Sequence, residues 1–183
     1  MTVVPSTKER SLDAAIELLG TEGLRALTHA RIDERAGLPA GSTSNHFRTR
    51  AALLAGVADA IVEREMPSVE AAVVPRSAAE LVDALCGGIG YLTGPRRTLT
   101  TARLVLFVEA SHNAGLRASL ERGRAAMESA VLPTLAVLGA RDPRAAATAV
   151  MACVEGLILH RIARHDDSDP RPALDLVVRA ALA

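Results

Sequence analysis

Leu27 to Leu54 reads LTHARIDERAGLPAGSTSNHFRTRAALL. Its reading decides the fold: two short helices about a tight turn, then the start of a longer helix. Thr28 is placed to cap the first, because its hydroxyl accepts from the free amides of an opening helical turn. Ile32 and Ala36 stand four residues apart and share a face, so a small apolar edge points inward. Gly37 ends that helix, since glycine takes positive φ without a Cβ clash. Leu38 tucks into the core of the turn, and Pro39 stops the first helix from continuing. Gly41 lets the chain approach closely, and Ser42 or Thr43 is expected to cap a second short helix, Thr43 to Phe47.

That second helix has almost nothing apolar except its anchor, Phe47. Such a helix does little for a core, but makes sense if its outer face is used. Docked by a helix-turn-helix, it would enter the major groove, whose width admits one helix. Ser42, Thr43, Asn45 and His46 would then meet base edges and phosphates. Arg48 and Arg50 follow where cations reach flanking phosphates, and Thr49 caps the next helix, whose free amides could also face a phosphate. The competing reading is a surface helix-turn-helix in an all-α enzyme with no DNA partner.

From about Lys8 to Val62 the sequence resembles the N-terminal DNA-binding domain of the TetR (tetracycline-repressor-like) family of bacterial transcriptional regulators. The resemblance rests on Ala14-Ala15, Leu18-Leu19, Gly23, Leu27-Thr28, Ile32, Ala36-Gly37-Leu38, Gly41-Ser42, His46-Phe47 and Leu53-Leu54. Two positions depart from it. Ser44 stands where the family commonly has a phosphate-contacting Tyr, and Arg50 replaces the usual Lys with the charge kept. The DNA-contacting set implied is Thr28, Arg31, Ala40, Gly41, Ser42, Thr43, Ser44, Asn45, His46, Arg48, Thr49 and Arg50.

Composition agrees with an all-helical chain. Of 183 residues, 49% are hydrophobic but only 2% aromatic, and strands favour the aromatic and β-branched types. The formal net charge is zero, which does not advertise a nucleic-acid binder. Locally, Gly23 to Leu54 carries Arg25, Arg31, Arg35, Arg48 and Arg50 against Asp33 and Glu34, a net of +3 that a dimer would double. Cys86 and Cys153 fall inside apolar helical patterns, where small buried thiols are common, and with no signal sequence in MTVVPSTKERS they suit a reducing cytoplasm. No apolar run reaches the ~20 residues of a spanning helix, so a cytoplasmic protein is expected.

Along the chain, Met1 to Ser6 reads as a flexible arm. A first helix, about Thr7 to Gly20, has Leu12, Ala15, Ile16 and Leu19 as its stripe. A fourth begins after Thr49 and ends at Met66-Pro67, with a linker from Ser68 to Pro75. Ser77 and Glu80 form a capping-box signature for a fifth helix through Leu92. A sixth runs from Arg97 to Ser111. The seventh, Leu116 to Leu138, carries Pro133, which should kink or divide it. Asp142-Pro143 launches the eighth, to about Arg164, and Leu174 to Leu182 forms the last. The expected architecture is therefore about nine helices: a three-helix DNA-binding domain over 1–50 and an effector-binding, dimerising bundle over 51–183.

Ala146, Ala149, Val150, Val154 and Leu157, with Leu174, Val177 and Val178, make bands wide enough to bury more than one face. They are either intrachain core or, as the resemblance implies, a four-helix interface between two copies. An isologous dimer sets two reading helices one DNA turn apart, about 34–36 Å, on a palindromic operator. The resemblance also implies a cavity for a small organic effector among the fifth to eighth helices. Tyr91, Arg103, Phe107, His112, Met127 and Glu155 are the large or polar side chains placed to line it.

Other patterns carry no chemistry. Glu109 and His112 lack the second such pair that a helical metal-carboxylate bundle needs. His160, His165, Asp166 and Asp167 read as a solvated helix end, and Gly87-Gly88-Ile89-Gly90 has neither the strand nor the GKS/T of a phosphate loop. No nucleophile–base set is visible, so no cofactor, metal or catalytic residue is expected. The expected function is a homodimeric, ligand-responsive repressor. The alternatives are a helical enzyme with a vestigial N-terminal unit, and a protein-interaction module that ignores DNA.

Overall fold

The computed structural model describes residues 5–70 and 74–183. Among them are nine α-helices and no strand: α1 Thr7–Glu22, α2 His29–Ala36, α3 Ser42–His46, α4 Arg50–Glu70, α5 Ala78–Thr93, α6 Arg97–Ala110, α7 Ala114–Val137, α8 Pro143–Ala163 and α9 Arg171–Ala181. A 3-10 turn, Leu24–Ala26, links α1 to α2.

Local chemistry explains most of the ends. Thr28 Oγ1 accepts from the Arg31 amide, and Gly37 closes α2 in the left-handed region at φ 60, ψ 40. Asp142 accepts from the amides of Arg144 and Ala145 ahead of Pro143, and Thr49 Oγ1 accepts from Ala52. Ser77 caps α5 through the Glu80 amide, but Glu80 returns its carboxylate to Arg76 N, one residue before the cap.

Several expectations need correction. Residues 1–4 of the expected arm lie outside the described residues, and Ser6, in extended conformation, is the N-cap of α1. Its hydroxyl accepts from Glu9 N, and the Glu9 carboxylate accepts from Ser6 N at 2.6 Å, a complete capping box. α4 does not end at Met66-Pro67; it runs through Pro67 to Glu70, and residues 71–73 of the expected linker lie outside the described residues. α7 is not divided at Pro133. A proline forfeits one amide donor, and both helices continue past that loss. α9 opens a turn early, with Pro172 in its first turn, where a missing N–H costs least. Among the described residues α8 alone is long and apolar enough to cross a membrane by length and composition, an 18-residue window of it averaging a hydropathy of 1.5.

The chain forms two compact units, one from residues up to Glu65 plus Thr98–Gly123, the other from Met66–Arg97 plus Arg124–Ala183. α4 and α7 each divide their length between them. The first unit has the continuous core. Leu18, Leu19, Leu27, Ile32, Leu53, Leu54, Ile61, Leu106 and Leu116 are almost fully buried there, each lending about 2 kcal/mol of apolar transfer energy. In the second, α5, α8 and α9 pack on one another around Leu81, Val82, Ile89, Ile158, Leu174 and Val178. Arginines tie helix ends in both: Arg10 donates to the Ala36 and Gly37 carbonyls, Arg117 to Ala110 and Ser111, and Arg97 to Ile162.

Candidate nucleic-acid interface

α3 is five residues long and has no side-chain cap of its own; its cap position is Gly41, at φ 88. The cap comes from α2 instead. Asp33, 4% exposed, accepts from the Gly41 amide and the Thr43 amide, each at 2.8 Å, and from the Thr43 hydroxyl. Ser11 Oγ lies 3.3 Å from Thr43 Oγ1 and gives its own proton to the Thr7 carbonyl. At the far end, His29 Nε2 lies 2.7 Å from the Phe47 carbonyl. A carbonyl only accepts, so that nitrogen carries the proton. Phe47 is 5% exposed, and its ring fills the space that a side chain at Gly56 would need.

Burial pushes the Asp33 carboxyl up, but the Thr43 hydroxyl and the amides of Thr43 and Gly41 outweigh it and hold the group below its ordinary 3.8. A depressed carboxylate stabilises the fold fully above its unfolded value, and that contribution drains away as pH falls through the lower folded value. Between about pH 4 and pH 2 the wild-type chain is therefore expected to lose more melting temperature than Asp33→Asn, which has no such proton to bind. Equal acid slopes in a calorimetric pH series would rule this out.

This geometry sorts the expected DNA-contacting residues. Ala40, Gly41, Asn45, His46, Arg48 and Thr49 are exposed, and Ser42 and Ser44 half so. Thr43 is not available: it is fully buried and its hydroxyl is spent on Asp33. Ser42 and Ser44 donate to the Pro39 and Gly41 carbonyls. Thr28 caps α2. Arg50 donates to the Leu27 and Leu24 carbonyls at 2.9 and 3.2 Å, which fastens the 3-10 turn.

The local charge count also changes. Arg31 pairs with Glu22 at 2.6 Å, and Arg35 bridges Glu17 and Glu22 at 2.8 and 2.7 Å. Only Arg25 and Arg48, among the described arginines from Gly23 to Leu54, have no ion pair or hydrogen bond. The outer face of α3 thus presents Asn45 and His46, flanked by Arg48. What the sequence could not indicate is that Asp33 and His29 reach across the turn to hold α3.

The expected effector residues divide between the units. In the first, Arg103 is buried, pairs with Glu65 at 3.3 Å and lies over the Phe107 ring at 5.9 Å, while His112 is exposed. In the second, Tyr91 is exposed and accepts from Arg96 Nε, and Met127 and Glu155 are half-buried, the latter 3.9 Å from Arg124.

The expected dimer residues split by burial. Ala146, Val150, Leu174 and Val178 are buried within the chain. Val154, Leu157 and Val177 are half-buried and Ala149 is exposed. The uncovered face of α8 is rotated from the expected one: Ala145, Ala149, Ala152, Leu159 and Ala163 are exposed and Gly156 half-buried. On α9, Leu176 is 72% exposed.

A family model described as bacterial regulatory proteins, tetR family, matches residues 12–57, and one described as tetracyclin repressor-like, C-terminal domain, matches residues 76–183. The chain belongs to the TetR family. As a TetR-family protein it is a DNA-binding transcriptional regulator and not an enzyme. Solved structures share the fold. A transcriptional regulator from Rhodococcus sp. Rha1 superposes with a TM-score of 0.83 at 19% identity, over 97% of this chain and 96% of its own. The multidrug binding protein EbrR, complexed with ethidium, gives 0.81 at 22% over 97% and 100%. A TetR-family regulator from Rhodococcus sp. gives 0.79 at 24% over 97% and 99%. No curated protein matches the sequence.

Proposed function

We propose that this TetR-family protein is a cytoplasmic repressor that binds a palindromic operator as a homodimer and is released by a small organic effector. The observation that carries the reading is the outer face of α3: Thr43 and Phe47 are buried, while the side chains of Asn45 and His46 are exposed with no hydrogen bond or ion pair, His46 meeting only the edge of the Phe47 ring, and exposed Arg48 follows. In the proposed division of labour, residues 1–50 read DNA and 51–183 dimerise and take the effector. The uncovered α8 face supports the dimer. EbrR, which holds ethidium, supports an organic effector. Such a ligand acts only through its different affinity for the operator-competent and released states, a coupling of about 1–3 kcal/mol.

Capture of genomic fragments by the purified chain, followed by titration against salt, tests this. A recovered palindrome whose log affinity falls linearly with log salt supports the regulator; a chain that dimerises but recovers no sequence is an interaction module instead. Arg48→Ala is expected to weaken all duplexes alike and to reduce the salt slope by about one per contacting subunit. Asn45→Ala should instead change base preference, by about 1–3 kcal/mol at one position per half-site. Arg50→Ala should lower the melting temperature, because two carbonyls lose their donor. Identical, uniform losses from Arg48→Ala and Asn45→Ala would refute the assigned reading face.

A further inference from the structure

We infer that His29 and Asp33 are positioning residues for operator recognition: one turn apart on α2, they hold α3 at both ends and set the pose in which Asn45 and His46 meet the bases. This rests on the DNA-reading function proposed above.

α3 cannot hold its own shape. Isolated helices shorter than about 12 residues are marginal in water, and α3 has five. Its serines do not cap it, since Ser42 and Ser44 donate to carbonyls. Its end groups are satisfied from α2: Asp33 takes the Gly41 and Thr43 amides, and His29 takes the Phe47 carbonyl. The dimensions match. Side chains four apart on a helix start about 5–6 Å from one another, and five helical residues rise about 7.5 Å. Two neighbouring side chains on α2 can therefore span the whole of α3.

The Thr43 hydroxyl adds a rotational constraint. Phe47 alone would leave α3 free to pivot about its ring, whereas the bond to Asp33 fixes which side of the helix faces out. Base readout needs that fixity, because a paired contact to a base edge is directional. A phosphate contact by a long, flexible arginine does not. Loosening the clamp should therefore erode discrimination before general DNA affinity.

The test uses the full-length chain and the best duplex it enriches from a randomised library, with a scrambled duplex as control. Binding to both is measured for His29→Leu, His29→Gln, Asp33→Asn and Thr43→Val, with circular dichroism at the same temperature reporting the folded fraction. His29→Leu and Thr43→Val are expected to lose about tenfold in the ratio of selected to scrambled affinity, while scrambled binding stays within about twofold. His29→Gln, which retains an N–H donor, should recover most of the ratio. A ratio unchanged in the folded variants, or Gln behaving as Leu, overturns the inference, and losses that track unfolding on both duplexes make the residues scaffold only. Enrichment of no sequence by the wild-type chain would instead remove the DNA-reading function itself, and the positioning role with it.

Discussion

Ala152→Glu is expected to give a folded monomer that no longer holds its operator. Ala152 is exposed at the middle of α8, and glutamate is a good helix former, so the chain itself should tolerate the change. The uncovered residues Ala145, Ala149, Ala152, Gly156, Leu159 and Ala163 follow alternating spacings of four and three, the heptad period at which one helix packs along another. A carboxylate at the centre of such a contact, repeated by symmetry on the partner, is desolvated without a counter-charge and costs several kcal/mol. Losing the second reading helix removes the avidity of a two-site grip, so operator affinity should fall about 100-fold or more. Light scattering would show half the wild-type mass, and anisotropy titration the lost affinity. A dimeric variant would sink the assignment of α8 as the interface; a monomer binding as tightly as wild type would sink the need for a pair.

The second large effect contrasts two glycines. A Cβ at Gly20 would lie inside the contact distance of the Thr98 carbonyl oxygen and 2.8 Å from its carbon, and neither backbone atom can swing aside. Gly20→Ala therefore drives α1 from the start of α6 and is expected to cost about 3 kcal/mol, roughly 10 °C of melting temperature for a chain this size. Gly87, exposed on α5, has nothing within 4 Å of the same added atom. There the identical substitution should stabilise by about 0.5–1 kcal/mol, because alanine restricts the unfolded chain and favours the helix. Thermal melts of the two variants decide it. A neutral Gly20→Ala would show that α1 and α6 do not approach as closely as described.

The helices were legible wherever their boundaries are set by residues within one turn. Thr28, Gly37, Thr49, Ser77 and Asp142 all act on amides or carbonyls close by in sequence, so their spacing betrays them. The cap of α3 was not legible, because Asp33 reaches it from another helix, and an aspartate inside α2 reads as one more surface charge. The same reason hid the fate of the cations: Arg31 and Arg35 meet Glu17 and Glu22 of α1, and Arg50 meets carbonyls more than twenty residues back. Thr43 looked like a base reader because small polar residues on both sides of a short helix are indistinguishable in sequence. On α8 the difficulty was the opposite one. Apolar residues occupy every side of it, so periodicity cannot report which side meets α5 and α9. The chosen stripe then mixed covered Ala146 and Val150 with uncovered Ala149.

The thrift in unengaged cations bears on how such a regulator would share its time in a cell. Among the described arginines from Gly23 to Leu54, the two without a protein partner, Arg25 and Arg48, would as phosphate contacts give a pair of subunits a log–log salt slope of only about −4. Random chromosome, the vast excess of decoy sequence, would then detain few molecules. Most copies would stay at large to search, and a small pool would suffice to keep one promoter occupied.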